Sequence, residues 1–110
     1  INGFMNNKIM KKYIPMTETA YYILLALSFE LHGYGIIGYV NDITNGRLKL
    51  GAGTIYGTLS KMEADGLIES KNVYDRRRTY IQTKIGGEIL SIEINRLEEM
   101  LRSAKKRRQN

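Results

Sequence analysis

Cysteine and tryptophan are absent from these 110 residues, proline and histidine occur once each, and no apolar run is long. Without cysteine there is no disulfide framework and no thiolate zinc site, and a reducing compartment suits the chain. The lone histidine, His32, supplies neither a metal ligand set nor a histidine-based triad. Acid pairs such as Glu98-Glu99 read as a solvated helix face, so neither a cofactor nor enzyme chemistry is expected. The longest apolar candidate, Tyr21 to Phe29, falls well short of the ~18 residues a membrane span needs. No signal-peptide pattern is read at the start, and a cytoplasmic place is the expectation.

What the chain does have is positive charge. Seventeen Lys and Arg against eleven Asp and Glu give a formal net charge of +6, which suits nucleic acid or an acidic membrane surface. The cations cluster at Lys8 to Lys12, Arg76 to Arg78 and Lys105 to Arg108. The length and a hydrophobic fraction of 43% fit one domain with a modest core.

The densest pattern runs from Leu50 to Ile68, LGAGTIYGTLSKMEADGLI. Leu50-Gly51-Ala52-Gly53 reads as a flexible turn. Ile55, Leu59 and Met62 then recur at the spacing of one buried helix face. The rest of the surface carries Gly53, Thr54, Tyr56, Gly57, Ser60 and Lys61, which are small, polar, aromatic or cationic. Gly66 supplies the stop, since a residue without Cβ takes the left-handed turn that ends a helix. A helix this smooth outside fits the DNA major groove, so the stretch reads as a recognition helix. Its glycines do not make a dinucleotide cradle, because the spacing is not GxGxxG and no βαβ unit surrounds them.

The remainder positions that helix. Residues 1–15 form a basic arm, either a short helix or a disordered segment, and whether Ile1 to Phe4 are native is left open. Thr17 caps a helical run from Ala20 to Phe29, with Ile23, Leu24 and Leu27 inward. Gly33 and Gly35 read as a chain break. A second helix from about Tyr34 to Asn45 turns Ile36, Ile37, Val40 and Ile43 inward, and Asn45-Gly46 closes it. Leu67 to Val73 and Thr79 to Gln82 read as two strands around a cationic tip, Tyr74 to Arg78. From Thr83 the chain is helical again, with Leu90, Ile94, Leu97, Leu101 and Ala104 on a heptad seam. Ile85, Ile89 and Ile92 add a second stripe. One small domain covers both poorly, so a partner helix from a second copy is expected; the alternative folds the helix back on its own domain. The fold expected is mainly α with a small β-hairpin: a winged helix-turn-helix over residues 16–82 and a C-terminal dimerisation helix with a basic tail over 83–110.

Six segments then carry a resemblance: Tyr22 to Leu27, His32 to Ile36, Leu50 to Tyr56, Lys61 to Ile68, Asp75 to Tyr80, and Thr83 with Gly86. In this order they resemble the PadR family of bacterial transcriptional regulators, particularly its short subfamily with a single C-terminal helix. Family members commonly have Pro where this chain has Ala52, and Glu where it has Lys84. Neither departure touches the face read as DNA-facing. The resemblance implies a homodimeric winged-helix repressor on an inverted-repeat operator, released in many relatives by a small aromatic or cationic effector. The absence of tryptophan removes the ring that often stacks such guests.

On this reading Lys49, Gly53, Thr54, Tyr56, Gly57, Ser60, Lys61, Arg76, Arg77 and Arg78 meet double-stranded DNA, though Arg78 can equally pair with Glu63 or Asp65. Leu90, Ile94, Leu97, Met100 and Leu101 form the dimer interface. Tyr21, Tyr22, Phe29, Ile94 and Leu97 either line an effector pocket or serve as ordinary core and interface. His32 holds the turn before Gly33. The competing function is a winged-helix module that docks a protein instead of DNA.

Overall fold

The computed structural model describes residues 3–109, so Ile1 and Asn2, part of the open question over residues 1–4, lie outside the described residues. The elements are α1 (Gly3–Tyr13), α2 (Glu18–Ala26), β1 (Leu31–His32), α3 (Gly33–Ile43), α4 (Ala52–Ala64), β2 (Ile68–Tyr74), β3 (Arg77–Gln82) and α5 (Lys84–Arg108). The strands form one antiparallel sheet in the order β1-β3-β2. No helix of the described residues is long and apolar enough to cross a membrane.

One core holds these elements together. Ile23, Leu24 and Leu27 meet Ile36 and Val40 of α3, and Ile55, Leu59 and Met62 of α4 close over them. Full burial of each such side chain is worth about 1.5–3 kcal/mol, so the three apolar α4 positions alone anchor that helix firmly. Leu67 and Ile68 extend the core under the sheet, and Ile89 and Leu90 cover it from α5.

Side-chain caps fix where the helices begin. Thr17 Oγ1 accepts from the Ala20 amide at 3.1 Å, as expected, and starts α2. His32 Nδ1 accepts from the Gly35 amide at 3.1 Å, so the lone histidine is the N-cap of α3. Gly33 and Gly35 therefore lie inside the first turn of a helix and do not break the chain. Thr83 caps α5 by accepting from the Gly86 amide at 3.1 Å, and donates to the Gly66 carbonyl at 2.6 Å. Each cap of this kind stabilises by about 1 kcal/mol. Position 86 must stay bare, because a Cβ there would overlap the Leu67 carbonyl.

Other expectations are corrected. The run from Ala20 ends at Ala26, and Phe29 stands 78% exposed in the turn beyond it. Ile43 is 54% exposed, because it is the last residue of α3 and the chain has already begun to leave the core there. Ala52 and Gly53 belong to α4, so the turn before it is shorter than expected. The strand β1, only two residues long, went unread. Gly66 does turn left-handed, with φ +80°, and ends α4 as expected.

The basic N-terminal segment is a helix joined to the rest of the fold. Its last residue, Tyr13, is buried, and its hydroxyl donates to Asp65 Oδ2 at 2.6 Å. Lys12 Nζ stands 2.8 Å from the same carboxylate, and Asp65 is the C-cap of α4. Burial raises the Asp65 carboxyl, but hydrogen bonds from Lys12 and Tyr13 outweigh it and hold the group below the usual range. Burial, then the Asp65 contact, pushes the Tyr13 phenol well up. α1 also packs on α5.

Candidate nucleic-acid interface

The buried stripe of α4 dictates its outer surface. With Ile55, Leu59 and Met62 inward, the side chains of Thr54, Tyr56, Ser60 and Lys61 and the bare backbone of Gly53 and Gly57 face solvent. A Cβ added at Gly53 or Gly57 would meet nothing within 4 Å, so no internal contact explains either glycine. Gly51 caps α4 with no side-chain hydrogen bond, which leaves the first-turn amides to solvent or to an anionic partner.

Tyr56 is half-exposed at 43%, and its phenol lies across the start of α3. A Cβ on Gly33 would stand 2.5 Å from Tyr56 Oη, so Gly33 is the rest on which this ring lies. The next residue, Tyr34, has the Arg77 guanidinium 5.6 Å from its ring centroid, a cation–π contact. α4 and the wing therefore converge on two consecutive residues at the head of α3.

The wing tip is narrower than expected. Tyr74 pairs with Arg77, leaving a two-residue turn, Asp75-Arg76, with φ +48° and +65°. Both residues are left-handed, as a type I′ hairpin turn requires, and this puts Arg76 at the apex. Arg77 and Arg78 are the first residues of β3, and all three arginines are exposed. Among the described residues neither Glu63 nor Asp65 takes Arg78. Asp65 is occupied by Lys12 and Tyr13, and Glu63 accepts from Ser70 Oγ at 2.6 Å. Lys49 is exposed just ahead of α4, and Lys61 lies 6.0 Å from the Tyr13 ring centroid.

A network at the wing base has no counterpart in the sequence reading. Glu30 Oε2 accepts from Asn72 Nδ2 at 2.7 Å and from Thr79 Oγ1 at 2.5 Å. The hydrogen bonds from Thr79, then Asn72, hold its carboxyl below the usual range, and Lys71 adds to them. Partners 42 and 49 residues away leave no local pattern for a reader to find.

The C-terminal helix divides in two. Leu90, expected on the interface seam, is 5% exposed and buried against its own domain, and Ile94 packs on the same core. This half lies on α2 and β3, which supply the cover that a second copy was expected to give. Beyond it Leu97, Met100 and Leu101 are exposed in the single chain.

Tyr21, Tyr22 and Leu97 do line a common cleft of about 280 Å³, with Met16, Glu18, Glu93 and Arg96. The two rings meet edge to face, with centroids 5.2 Å apart. Phe29 and Ile94 are not part of it, since Phe29 borders a separate apolar hollow with Leu25, Leu31 and Tyr39 and Ile94 packs on the core. Both carboxylates of the cleft are already paired. Arg47 holds Glu18, and Arg96 grips the buried Glu93 with two 2.7 Å hydrogen bonds.

Residues 23–91 match the transcriptional regulator PadR-like family. A curated relative, an uncharacterized 37.1 kDa protein in transposon TN4556 of Streptomyces fradiae, is 31% identical over 70 residues, 64% of this chain. The matched stretch spans only 20% of that protein's length. Among solved structures, a PadR-like regulator from Bacillus cereus superposes with TM-score 0.69 at 23% identity, over 84% of this chain and 92% of the other. A transcriptional regulator from Clostridium thermocellum gives TM-score 0.68 at 22% identity, over 90% and 93%. These two likenesses establish the fold, a winged helix. Bacillus subtilis PadR, solved in complex with operator DNA, is 26% identical, with TM-score 0.63 over 73% of this chain and 48% of that one. With the family match covering well over half of its length, the chain belongs to the PadR-like family of transcriptional regulators.

Proposed function

We propose that this chain is a homodimeric repressor that binds an inverted-repeat operator through α4 and the wing. The observation that carries the reading is the meeting of the two surfaces at the head of α3, with Tyr56 on Gly33 and Arg77 on Tyr34. It sets a smooth helix face beside a cationic hairpin, the pairing that a groove and its flanking phosphates require. Thr54 and Ser60 offer hydroxyls, Tyr56 offers a flat face, and Gly53 and Gly57 let backbone approach the duplex. Lys49, Lys61 and the arginines neutralise phosphate, with Arg76 at the apex suited to a narrow minor groove. Leu97, Met100 and Leu101 pair with the same stripe of a second copy, so that two α4 helices stand about 34 Å apart, one turn of DNA.

The cleft between α2 and α5 is read as the effector site. With Glu18 and Glu93 both engaged by arginines, it offers ring stacking and a guanidinium edge, which favours a neutral flat aromatic guest over a cation.

The test is a fluorescence-anisotropy titration against the DNA upstream of the protein's own gene, at about 50 mM and about 200 mM salt, where six to ten phosphate contacts would cost roughly 10³–10⁵ in affinity. The repressor reading expects tight, sequence-selective binding that salt and Arg76→Ala/Arg77→Ala both weaken. Weak binding, indifferent to sequence, salt and mutation, would overturn it and leave a protein-docking module as the better account.

A further inference from the structure

We infer that Glu30 is a positioning residue for DNA binding: its carboxylate clasps the β-bulge at the base of the wing and so aims Arg76 and Arg77. The inference rests on the proposed contact between wing and DNA.

The bulge is visible in the strand register. Ser70 faces Tyr80 and Val73 faces Arg78, so Lys71 and Asn72 together oppose Thr79 alone. A bulge bends its strand, increases the local twist and strands a polar group that the ladder would have paired. Here the stranded group is the Asn72 amide, and Thr79 Oγ1 accepts from it at 3.0 Å. The hydroxyl has one proton to give. It goes to Glu30 at 2.5 Å, because the alternative acceptor, the Asn72 carbonyl, is 3.3 Å away. Asn72 Nδ2 closes the set with its own bond to Glu30 at 2.7 Å. One carboxylate thus fixes both strands at the point where they bend.

Nothing apolar could do this instead. Beyond the bulge Val73 and Tyr74 are exposed, as are Asp75 and all three arginines. A two-stranded ribbon is marginal in water, so its direction depends on its base. Thr79 at that base is buried, and pairs with His32 of β1, the strand that Glu30 immediately precedes. The Arg77–Tyr34 contact steadies the outer end, and Glu30 steadies the inner one.

The test is a double-mutant cycle read by operator anisotropy, with Glu30→Ala, Arg76→Ala/Arg77→Ala and the combination. Glu30→Ala should weaken operator binding about fivefold in the wild-type wing and have no further effect once the arginines are gone, the non-additivity of groups acting through one contact. The slope of log affinity against log salt should fall by about one in Glu30→Ala, as when a phosphate contact is lost. Asn72→Ala, at an exposed position, should reproduce the effect, and Glu30→Gln, which keeps an acceptor oxygen, should restore most of the affinity. Equal losses from Glu30→Ala in both wing backgrounds would overturn the inference while leaving the wing on DNA. No loss from Arg76→Ala/Arg77→Ala would overturn the wing contact itself, and the inference with it.

Discussion

Gly57→Ala should make this protein more stable and worse at binding its operator. Glycine inside a helix costs about 0.5–1 kcal/mol relative to alanine, through the backbone freedom lost on folding. Gly57 lies five residues into α4, and an added Cβ would meet nothing within 4 Å, so the folded chain alone has no objection to the methyl group. The whole propensity gain should therefore appear as stability. At about 4–8 °C per kcal/mol for a domain near this size, the melting temperature should rise by roughly 2–8 °C. The duplex does have an objection, if α4 presses its backbone against the groove. Forcing a methyl group into a packed contact costs about 1–3 kcal/mol, which is roughly 5- to 150-fold in operator affinity. Gly38→Ala is the control for propensity: it also lies within a helix, α3, and also meets nothing within 4 Å, but is not part of α4. It should gain the same stability and keep full affinity. Circular dichroism melts with anisotropy titrations of the three proteins decide the matter. Gly57→Ala binding as tightly as wild type would refute the idea that this face touches the duplex.

Gly86→Ala should act in the opposite sense, losing about 2 kcal/mol or more despite the better propensity of alanine, because its methyl group collides with the Leu67 backbone; a melt lowered by several degrees is the expected readout. Stability should fall as pH drops below about 4, the unfolded value of an aspartate. Asp65 is held below that value in the fold, so its contribution is present above it and lost as the folded group takes up its proton; Asp65→Asn should flatten this part of the pH dependence in acid titrations followed by fluorescence. Leu97→Glu/Leu101→Glu should leave a folded monomer in analytical ultracentrifugation, and an unchanged oligomer would remove α5 as the dimer seam.

Much of the fold is written in short-range pattern. Ile55, Leu59 and Met62 announce α4 by spacing alone, and Thr17 and Gly66 mark ends by local chemistry that needs no distant partner. The features that escaped depend on what lies across the fold. Leu90 and Leu97 fall on one heptad seam, yet only Leu90 is covered, because the domain reaches along α5 as far as Glu93 and Ile94 and no farther. Phe29 and Ile43 are as apolar as their buried neighbours, and only the place where each helix stops turns them outward. The residues read as DNA-facing came from one helix face and one charge cluster. Gly33, Tyr34 and Glu30, which support them, bear no mark of that duty until the chain is folded.

The N-terminal helix gives α4 a second handle. The core grips α4 along its apolar stripe, a rigid attachment that water and salt hardly touch. At its far end Asp65 takes an ion pair from Lys12 and a hydrogen bond from the buried Tyr13, and the element that supplies both also leans on α5. Losing the ion pair and hydrogen bond at Asp65 would therefore loosen the last turn of α4 from α1 while its apolar stripe stays in the core. Acid and salt act on the Lys12–Asp65 part of this joint, while the Tyr13 ring, buried in the core, holds in both.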